Sequence, residues 1–300
     1  MKYAVIDVGS NSVRLMVSEE LERIYKKINT TRLGMGLALT GRLDGDRMAE
    51  TAAAVEQFVQ EAKAEQCEEI FVFATEAVRS ATNREEFVTL LADKGIDIEV
   101  VDSEDEAKLG FAGAYTQGVC CVLDIGGGSA ELAVGDSDGL SYAKSLPIGL
   151  MRIYDKCQED IEAIDAYVAD TIRQYGKTPD FDNLLAIGGT ATTFVAIKEK
   201  MTHYDPNVVD GYVLTKSDIE EMTERIRLMS MQDRLLLPGL EPKRANVIVG
   251  GGRLLSAIMD MLDRDSLVVR ESDNQEGFLY VRLKERLGKS KMHLFRQYST

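Results

Sequence analysis

Residues 4–17 read AVIDVGSNSVRLMV, and residues 121–134 read CVLDIGGGSAELAV. Six positions repeat in register: Val5/Val122, Asp7/Asp124, Gly9/Gly126, Ser12/Ser129, Leu15/Leu132 and Val17/Val134. Each copy is an apolar strand ending in Asp, a Gly/Ser turn and a second strand. A bend built of small residues leaves backbone N–H groups open to an anion. An Asp at the strand end adds a metal ligand or a group that orients water. Two such hairpins facing each other across a cleft make a phosphate clamp. Two unrelated tight turns would explain either copy alone, but not the shared register of the Asp.

The pattern after each hairpin predicts the rest of the fold. In the first half a third strand is expected around Arg23–Asn29, then a helix over Asp44–Gln66, where Met48, Ala52, Val55, Val59 and Ala62 recur at helical spacing. A buried strand is expected at Ile70–Thr75, a helix at Asn83–Asp93 with Asn83 as N-cap, a strand at Ile96–Val101 and a helix from Ser103. The second half predicts strands to about Leu146, helices near Gly149–Lys156 and Ile161–Tyr175, and a strand at Leu184–Ile187 followed by a turn and a helix. Helices near Ser217–Met229 and Pro242–Leu262, a strand at Leu267–Val269 and a closing helix from about Asn274 follow. The order βββαβα in each half makes this an α/β protein of two related domains, residues 1–119 and 120–300, with no linker of low complexity and no long disordered tail.

Composition narrows the function. The chain has 35 Lys plus Arg against 50 Asp plus Glu, a net charge of −15, which argues against nucleic-acid binding. It also opposes a polyanionic ligand unless positive charge is gathered locally and a cation helps. No apolar run is long enough to span a membrane, and the start, MKYAVIDVGS, enters a strand without a signal-peptide layout, so a cytoplasmic protein is expected. Cys67, Cys120, Cys121 and Cys157 lack zinc-site spacing and read as buried free thiols. With His203 and His293 as the only histidines, a histidine-rich metal site or histidine-based triad is not expected.

Four Gly-rich turns are expected after apolar strands, at Gly9–Ser12, Gly126–Ser129, Gly188–Thr190 and Gly250–Gly252. Turns at equivalent strand ends point to one cleft, where α/β proteins place ligands. None fits a dinucleotide fingerprint or a P-loop. Arg79, in ATEAVRSATN, could grip a phosphate with two donors or be a surface arginine. Glu104, Asp105 and Glu106 stand at a helix start, where capping accounts for the first two and could account for the third. Glu131 occupies in the second copy the place of Arg14 in the first, either turned to the cleft beside Asp124 or solvated outside.

IDVGSNSVRL, ATEAVRSATN, SEDEAKLGF, LDIGGGSAEL, IGGTATTF, LPGLEPKRANVIVGGG and ESDNQEGFLY, in that order, resemble the exopolyphosphatase and guanosine pentaphosphate phosphatase family. The resemblance spans almost the whole chain. It implies a fold of the actin, heat-shock ATPase and sugar-kinase superfamily: two ribonuclease H-like domains facing across a central cleft. It assigns Glu106 as the water-activating base, puts Arg79 on a phosphate, and places Asp124, Glu131 and Asp7 near magnesium (or manganese). Phosphate would lie on Gly9, Ser10, Asn11, Ser12 and Arg14, on Gly126, Gly127, Gly128 and Ser129, and on Gly189 and Thr190. It also implies a homodimer. Two departures stand out. The late motif reads SDNQEG where the family often has a glycine and an arginine before EG, so no phosphate contact is carried over from that arginine. Longer relatives have a helical C-terminal extension before which this chain ends, so it resembles the short two-domain members.

The expected reaction is magnesium-dependent removal of the terminal phosphate of polyphosphate. Few basic residues are expected near the cleft, namely Arg14, Arg79, Lys108 and Arg253, so short chains should be favoured. Guanosine pentaphosphate hydrolysis shares the same phosphoanhydride centre. A kinase of the same superfamily and a non-catalytic nucleotide or alarmone sensor are the other readings. Against the sensor stand Glu106 and Asp124, both present.

Overall fold

The structure, a computed structural model, describes residues 1–287. The sequence's expectations for the tail and for His293 lie outside the described residues. In the first half, β1 (Lys2–Val8), β2 (Val13–Glu19) and β3 (Glu22–Asn29) form an antiparallel meander. The chain then runs through α1 (Leu37–Thr40), α2 (Gly45–Ala64), β4 (Glu69–Ala74), α3 (Glu76–Ser80), α4 (Arg84–Ala92), β5 (Glu99–Val100) and α5 (Ser103–Ala114). Strands β4 and β5 join β1 in parallel, giving the sheet order β3-β2-β1-β4-β5.

The second half repeats this plan. Its meander is β6 (Cys120–Ile125), β7 (Ala130–Asp136) and β8 (Gly139–Leu146). There follow α6 (Leu150–Cys157), α7 (Ile161–Ile172), β9 (Asn183–Ile187), α8 (Gly188–Lys198), α9 (Pro206–Val209), β10 (Val213–Thr215) and α10 (Lys216–Leu228). The last elements of the described residues are α11 (Met231–Leu235), α12 (Ile248–Met261), β11 (Ser266–Val269) and α13 (Asn274–Leu287). The sheet order is β10-β11-β9-β6-β7-β8. The duplication holds in the pairing itself: Asp7 lies opposite Arg14, and Asp124 opposite Glu131.

Period-2 alternation sends each strand's side chains to two different cores. Ala4, Ile6 and Leu15 pack on Val55 and Phe58 of α2 and Phe87 of α4. The other face, with Tyr3, Val5, Met16 and Phe73, is covered by Phe278, Leu279 and Leu283 of α13. The Phe73 and Phe278 rings stack at 4.7 Å, a pairing worth ~0.5–1.5 kcal/mol beyond burial. In the second sheet Leu123, Ile125 and Leu132 meet Ile164 of α7, Phe194 of α8 and Leu254 of α12. Cys120, Val122 and Ala133 are covered by Ala107, Phe111 and Ala114 of α5.

The covering helices are therefore exchanged. Helix α5, from the first half, lies on the second sheet, and α13, from the second half, lies on the first. They cross each other at Gly113 and Gly277. A Cβ on Gly113 would overlap the Asp273 carbonyl, and one on Gly277 the Leu109 carbonyl. The strands change sheet between β5 and β6, on either side of residue 119, while the inner helix layer binds both halves together.

Several local expectations are corrected. Gly250–Gly252 is not a turn after a strand but lies inside α12, where the missing side chains admit Ile153, Leu150 and Thr223. The helix expected over Pro242–Leu262 breaks into a 3₁₀ turn, Pro242–Arg244, and α12. Gly188–Thr190 is the first turn of α8 rather than a separate turn. Asn83 does not cap α4, because its side chain is spent on Leu43, accepting from the N–H at 2.8 Å and donating to the carbonyl at 3.1 Å. The strand expected at Ile96–Val101 keeps only Glu99–Val100 in the sheet. The cysteines are free, with Cys67 half-buried and the other three buried. Among the described residues no helix is long and apolar enough to cross a membrane.

Candidate active site

The two Gly/Ser loops sit at the strand ends that face each other. Gly9 N–H donates to the Ser12 carbonyl and Gly126 N–H to the Ser129 carbonyl, both at 3.0 Å. Each loop is braced from behind. Arg32 and Gly34 N–H groups donate to the Asn11 and Ser10 carbonyls at 2.8 Å, and Leu150 and Met151 N–H groups donate to the Gly126 and Gly127 carbonyls at 3.1 and 2.7 Å. The bracing consumes loop carbonyls and leaves loop N–H groups. Among the described residues, the N–H groups of Ser10, Asn11, Gly127 and Gly128 have no protein acceptor. Both Asn11 side-chain polar atoms are buried without a protein partner as well. An array of free donors of this kind selects an anion.

The braces extend the duplication beyond the hairpins. A Cβ on Gly34 would lie 2.9 Å from Ser10 Cβ, and one on Gly149 would lie 2.6 Å from the Gly127 carbonyl carbon. Leu33–Gly34 and Ile148–Gly149 are the sequence trace of this, a second matched pair that sequence reading passed over. The loops also touch each other, since a Cβ on Gly127 would meet Ser10 Cβ at 2.9 Å. Glu76, buried at the start of α3, links them: it accepts from Ser10 Oγ at 3.4 Å and pairs with Arg152, whose Nε donates to the Gly128 carbonyl at 3.0 Å. Glu76 lies in ATEAVRSATN, but only Arg79 drew attention there.

Glu106 stands in the first turn of α5, fixed by Asp102 as N-cap, and is 5% exposed. It lines the cleft. Burial raises its pKa to about 7 even though Arg79 Nη1, 2.8 Å from Oε2, pulls the other way. Arg79 also donates to the Val101 carbonyl at 2.8 Å and is not part of the cleft wall, so it stands behind Glu106. Asp124 is 7% exposed and lines the cleft; burial lifts its pKa to about 6, against the pull of Arg14, while Asn274 Nδ2 donates to its Oδ2 at 2.9 Å. Glu131 is on the same face of the hairpin as Asp124 but deeper, accepting from Ser145 Oγ at 2.7 Å. Burial, then the charges of Glu106 and Asp124, raise its pKa well above the ordinary range, and it forms no part of the cleft wall.

Asp7 is 1% exposed and lines the cleft. Its Oδ2 takes Arg14 Nε at 3.0 Å, while Oδ1 is buried with no protein partner. Arg14 lines the cleft too, but its Nη1 is held by Asp273 at 2.6 Å. Ser12, Ser129, Gly189 and Thr190 complete the wall. Thr190 Oγ1 is spent on the Ile125 carbonyl at 2.8 Å, so only the backbone of that turn is left to offer a ligand. Behind Gly189 lies the buried guanidinium of Arg244, which a Cβ there would overlap.

Three of the four expected cleft cations do not line the wall: Arg79 stands behind Glu106, and the other two pair elsewhere. Lys108 pairs with Glu104 and Asp105 on the exposed side of α5, and Arg253 pairs with Asp165. The cleft wall instead takes Arg23, Lys26 and Lys27 from β3, with Arg244 and Arg270. Charges on an edge strand also serve as protection against pairing, so the β3 sequence alone does not mark them as cleft residues. Arg244 lies within the segment LPGLEPKRANVIVGGG, whose sequence alone gives it no role. The cleft encloses about 1260 Å³. Among the described residues, no three His, Cys, Asp or Glu side chains converge to hold an ion by themselves. Magnesium needs less, usually one or two carboxylates with waters and substrate phosphates. The orphaned Asp7 Oδ1 and the cleft-facing Asp124 fit that donor set; Glu131 could act only from behind.

The sequence profile described as the Ppx/GppA phosphatase family matches residues 12–286. The chain belongs to that family. This Ppx/GppA phosphatase is 27% identical over 309 residues to exopolyphosphatase 2 of Mycobacterium tuberculosis, covering 92% of the chain and 97% of the relative. It is 29% identical to the bifunctional 3-dehydroquinate synthase/phosphatase of Fusobacterium nucleatum, a match that takes in 91% of the chain but spans only 45% of that longer protein. Among solved structures, the Ppx/GppA family member of Aquifex aeolicus superposes with a TM-score of 0.78 at 28% identity, covering 96% of this chain and 99% of the other. An exopolyphosphatase-like protein superposes at 0.88 with 26% identity, covering 96% and 100%. The expected pair of actin-like domains is the fold of this phosphatase, and the expected class, a phosphoanhydride hydrolase, is the class of its family.

Proposed function

We propose that this phosphatase removes the terminal phosphate of inorganic polyphosphate, with magnesium or manganese, and favours short chains. One observation carries the reading. A buried carboxylate whose pKa is pushed up by burial, Glu106, lines the same cleft as two loops whose N–H groups are free for an anion. The free N–H groups of Ser10, Asn11, Gly127 and Gly128, with the Asn11 amide, hold the oxygens of the terminal phosphate. Glu106 accepts a proton from a water. The water oxygen forms a bond to phosphorus in line with the bridging P–O bond, which breaks and leaves with the shortened chain. Arg79 keeps one oxygen of Glu106 occupied and favours its ionised form at neutral pH. Asp124 and Asp7 would hold the magnesium, with Glu131 behind them, and the ion supplies neutralisation of phosphate charge.

Guanosine pentaphosphate is the second reading. The cleft runs on to an apolar wall containing Tyr204, Leu236 and Pro238, with Tyr204 51% and Leu236 81% exposed, large enough to seat a base. The deciding experiment is phosphate release by the purified protein with magnesium, comparing triphosphate, long polyphosphate, guanosine pentaphosphate and ATP. Release from triphosphate ahead of long polyphosphate supports the first reading, and release from guanosine pentaphosphate alone supports the second. No release from any phosphoanhydride would refute both.

A further inference from the structure

Helix α13 enters the cleft where this chain departs from the family-like motif, at Asp273–Asn274–Gln275. The Gln275 side chain is buried, and its amide donates to the Val5 carbonyl at 2.7 Å and the Arg14 carbonyl at 3.2 Å. It therefore ties α13 to the first sheet. Asp273 instead turns to the cations. Its Oδ2 pairs with Arg14 Nη1 at 2.6 Å and its Oδ1 with Lys26 Nζ at 3.1 Å. Lys26 is also held by Glu276 at 2.8 Å. The remaining nitrogens of Arg14, Nε and Nη2, both end on Asp7. Every nitrogen of Arg14 is thus on a carboxylate of the chain itself. Burial alone would raise the Asp273 pKa, but Arg14 and then Lys26 overcome it and hold the carboxyl well below its usual range. The lock stays charged at any working pH.

We propose that Asp273 is a specificity-determining residue: it occupies Arg14 and Lys26, two cations of the cleft wall, and so denies a longer polyphosphate its next phosphate contact. A phosphate reaching this wall must displace a buried, charge-assisted pair, which a carboxylate already satisfies at close range. The loops can still hold the terminal phosphate, so the lock limits chain length without closing the site. This inference rests on the phosphohydrolase reading for its meaning, but the charge lock can be tested without turnover.

The test is calorimetric binding of inorganic triphosphate to the whole chain in excess chelator, at two salt concentrations. Asp273→Asn keeps an acceptor for the Gln275 N–H, now made to Oδ1 at 3.0 Å, and removes the charge. We expect it to bind triphosphate at least about tenfold tighter than the wild type, with a steeper loss of affinity as salt rises. Adding Arg14→Gln to Asp273→Asn should erase most of the gain. Unchanged affinity in a normally melting Asp273→Asn protein overturns the proposal. A gain that survives Arg14→Gln overturns it too, because net charge alone would then explain the effect. Asp273→Gly is titrated alongside. If neither variant folds, Asp273 is a structural tie and the proposal fails. If binding tightens as expected but no variant, nor the wild type, hydrolyses any phosphoanhydride, the lock stands and the hydrolase reading falls.

Discussion

The ion pair of Arg79 with Glu106 sets the pH at which the proposed base works. Glu106 has a pKa of about 7, the outcome of burial pushing up and the guanidinium 2.8 Å away pulling down. Replacing Arg79 by Gln keeps a hydrogen-bond donor and removes the charge. An opposite charge this close usually lowers a carboxyl pKa by ~1–3 units, so the variant's midpoint should move to roughly 8–10. At pH 7 the ionised fraction of Glu106 would drop from about half to somewhere between a tenth and a thousandth, a rate loss of roughly 5- to 500-fold that shrinks as the pH rises. The assay is kcat/KM for triphosphate across a pH series at saturating magnesium. The wild type should rise through pH about 7. A variant that loses the same factor at every pH would show Arg79 gripping phosphate directly. That result, or an unmoved midpoint, refutes the reasoning.

Glu106→Gln should lower kcat by ~10²-fold or more with KM little changed. The same variant tests linkage. A carboxyl whose folded pKa is raised to about 7 from 4.5 costs stability that grows as pH climbs from the lower value to the higher, so Glu106→Gln should raise the melting temperature at pH 8, by up to about 3 kcal/mol in stability, and much less at pH 5; equal shifts at the two pH values would contradict this. Asp124→Asn should raise the magnesium concentration needed for half-maximal phosphate release, and full activity in excess chelator would remove the metal role. Gly149→Ala pushes a methyl into the Gly127 carbonyl and should raise KM by disturbing the loop, a result read against its melting curve. Lys108→Ala and Arg253→Ala should leave the KM for short polyphosphate within about twofold, because both side chains pair away from the cleft.

Much of the site was legible because it is written twice. The repeated Asp and Gly/Ser turn located both loops and set Asp124 and Asp7 at matched strand ends, and the structure keeps Arg14 and Glu131 at equivalent ladder positions. Contacts that depend on tertiary packing were not legible. Gly250–Gly252 has the composition of a turn, and only the close approach of Ile153, Leu150 and Thr223 explains three glycines inside a helix. Arg253 and Lys108 were expected near the cleft, but helical periodicity turns both toward partners on the outer faces of their helices. Glu76 escaped notice because a buried Glu that joins two loops has no sequence signature apart from its neighbours. The cations of β3 reach the cleft because an edge strand presents its charges on both sides of a rim, a choice that alternation alone does not decide.

The exchange of α5 and α13 also fixes when the centre can exist during synthesis. The first sheet, its loop and Glu106 all leave the ribosome early, but the inner face of that sheet stays open until Phe278, Leu279 and Leu283 arrive to close it. Asn274, which anchors Asp124, arrives on the same helix. A nascent chain halted before α13 would therefore hold both phosphate loops, uncovered apolar strands and an unanchored Asp124. Such a chain is exposed to misassociation until α13 is made, and the helix that completes the first sheet comes from the second half of the chain.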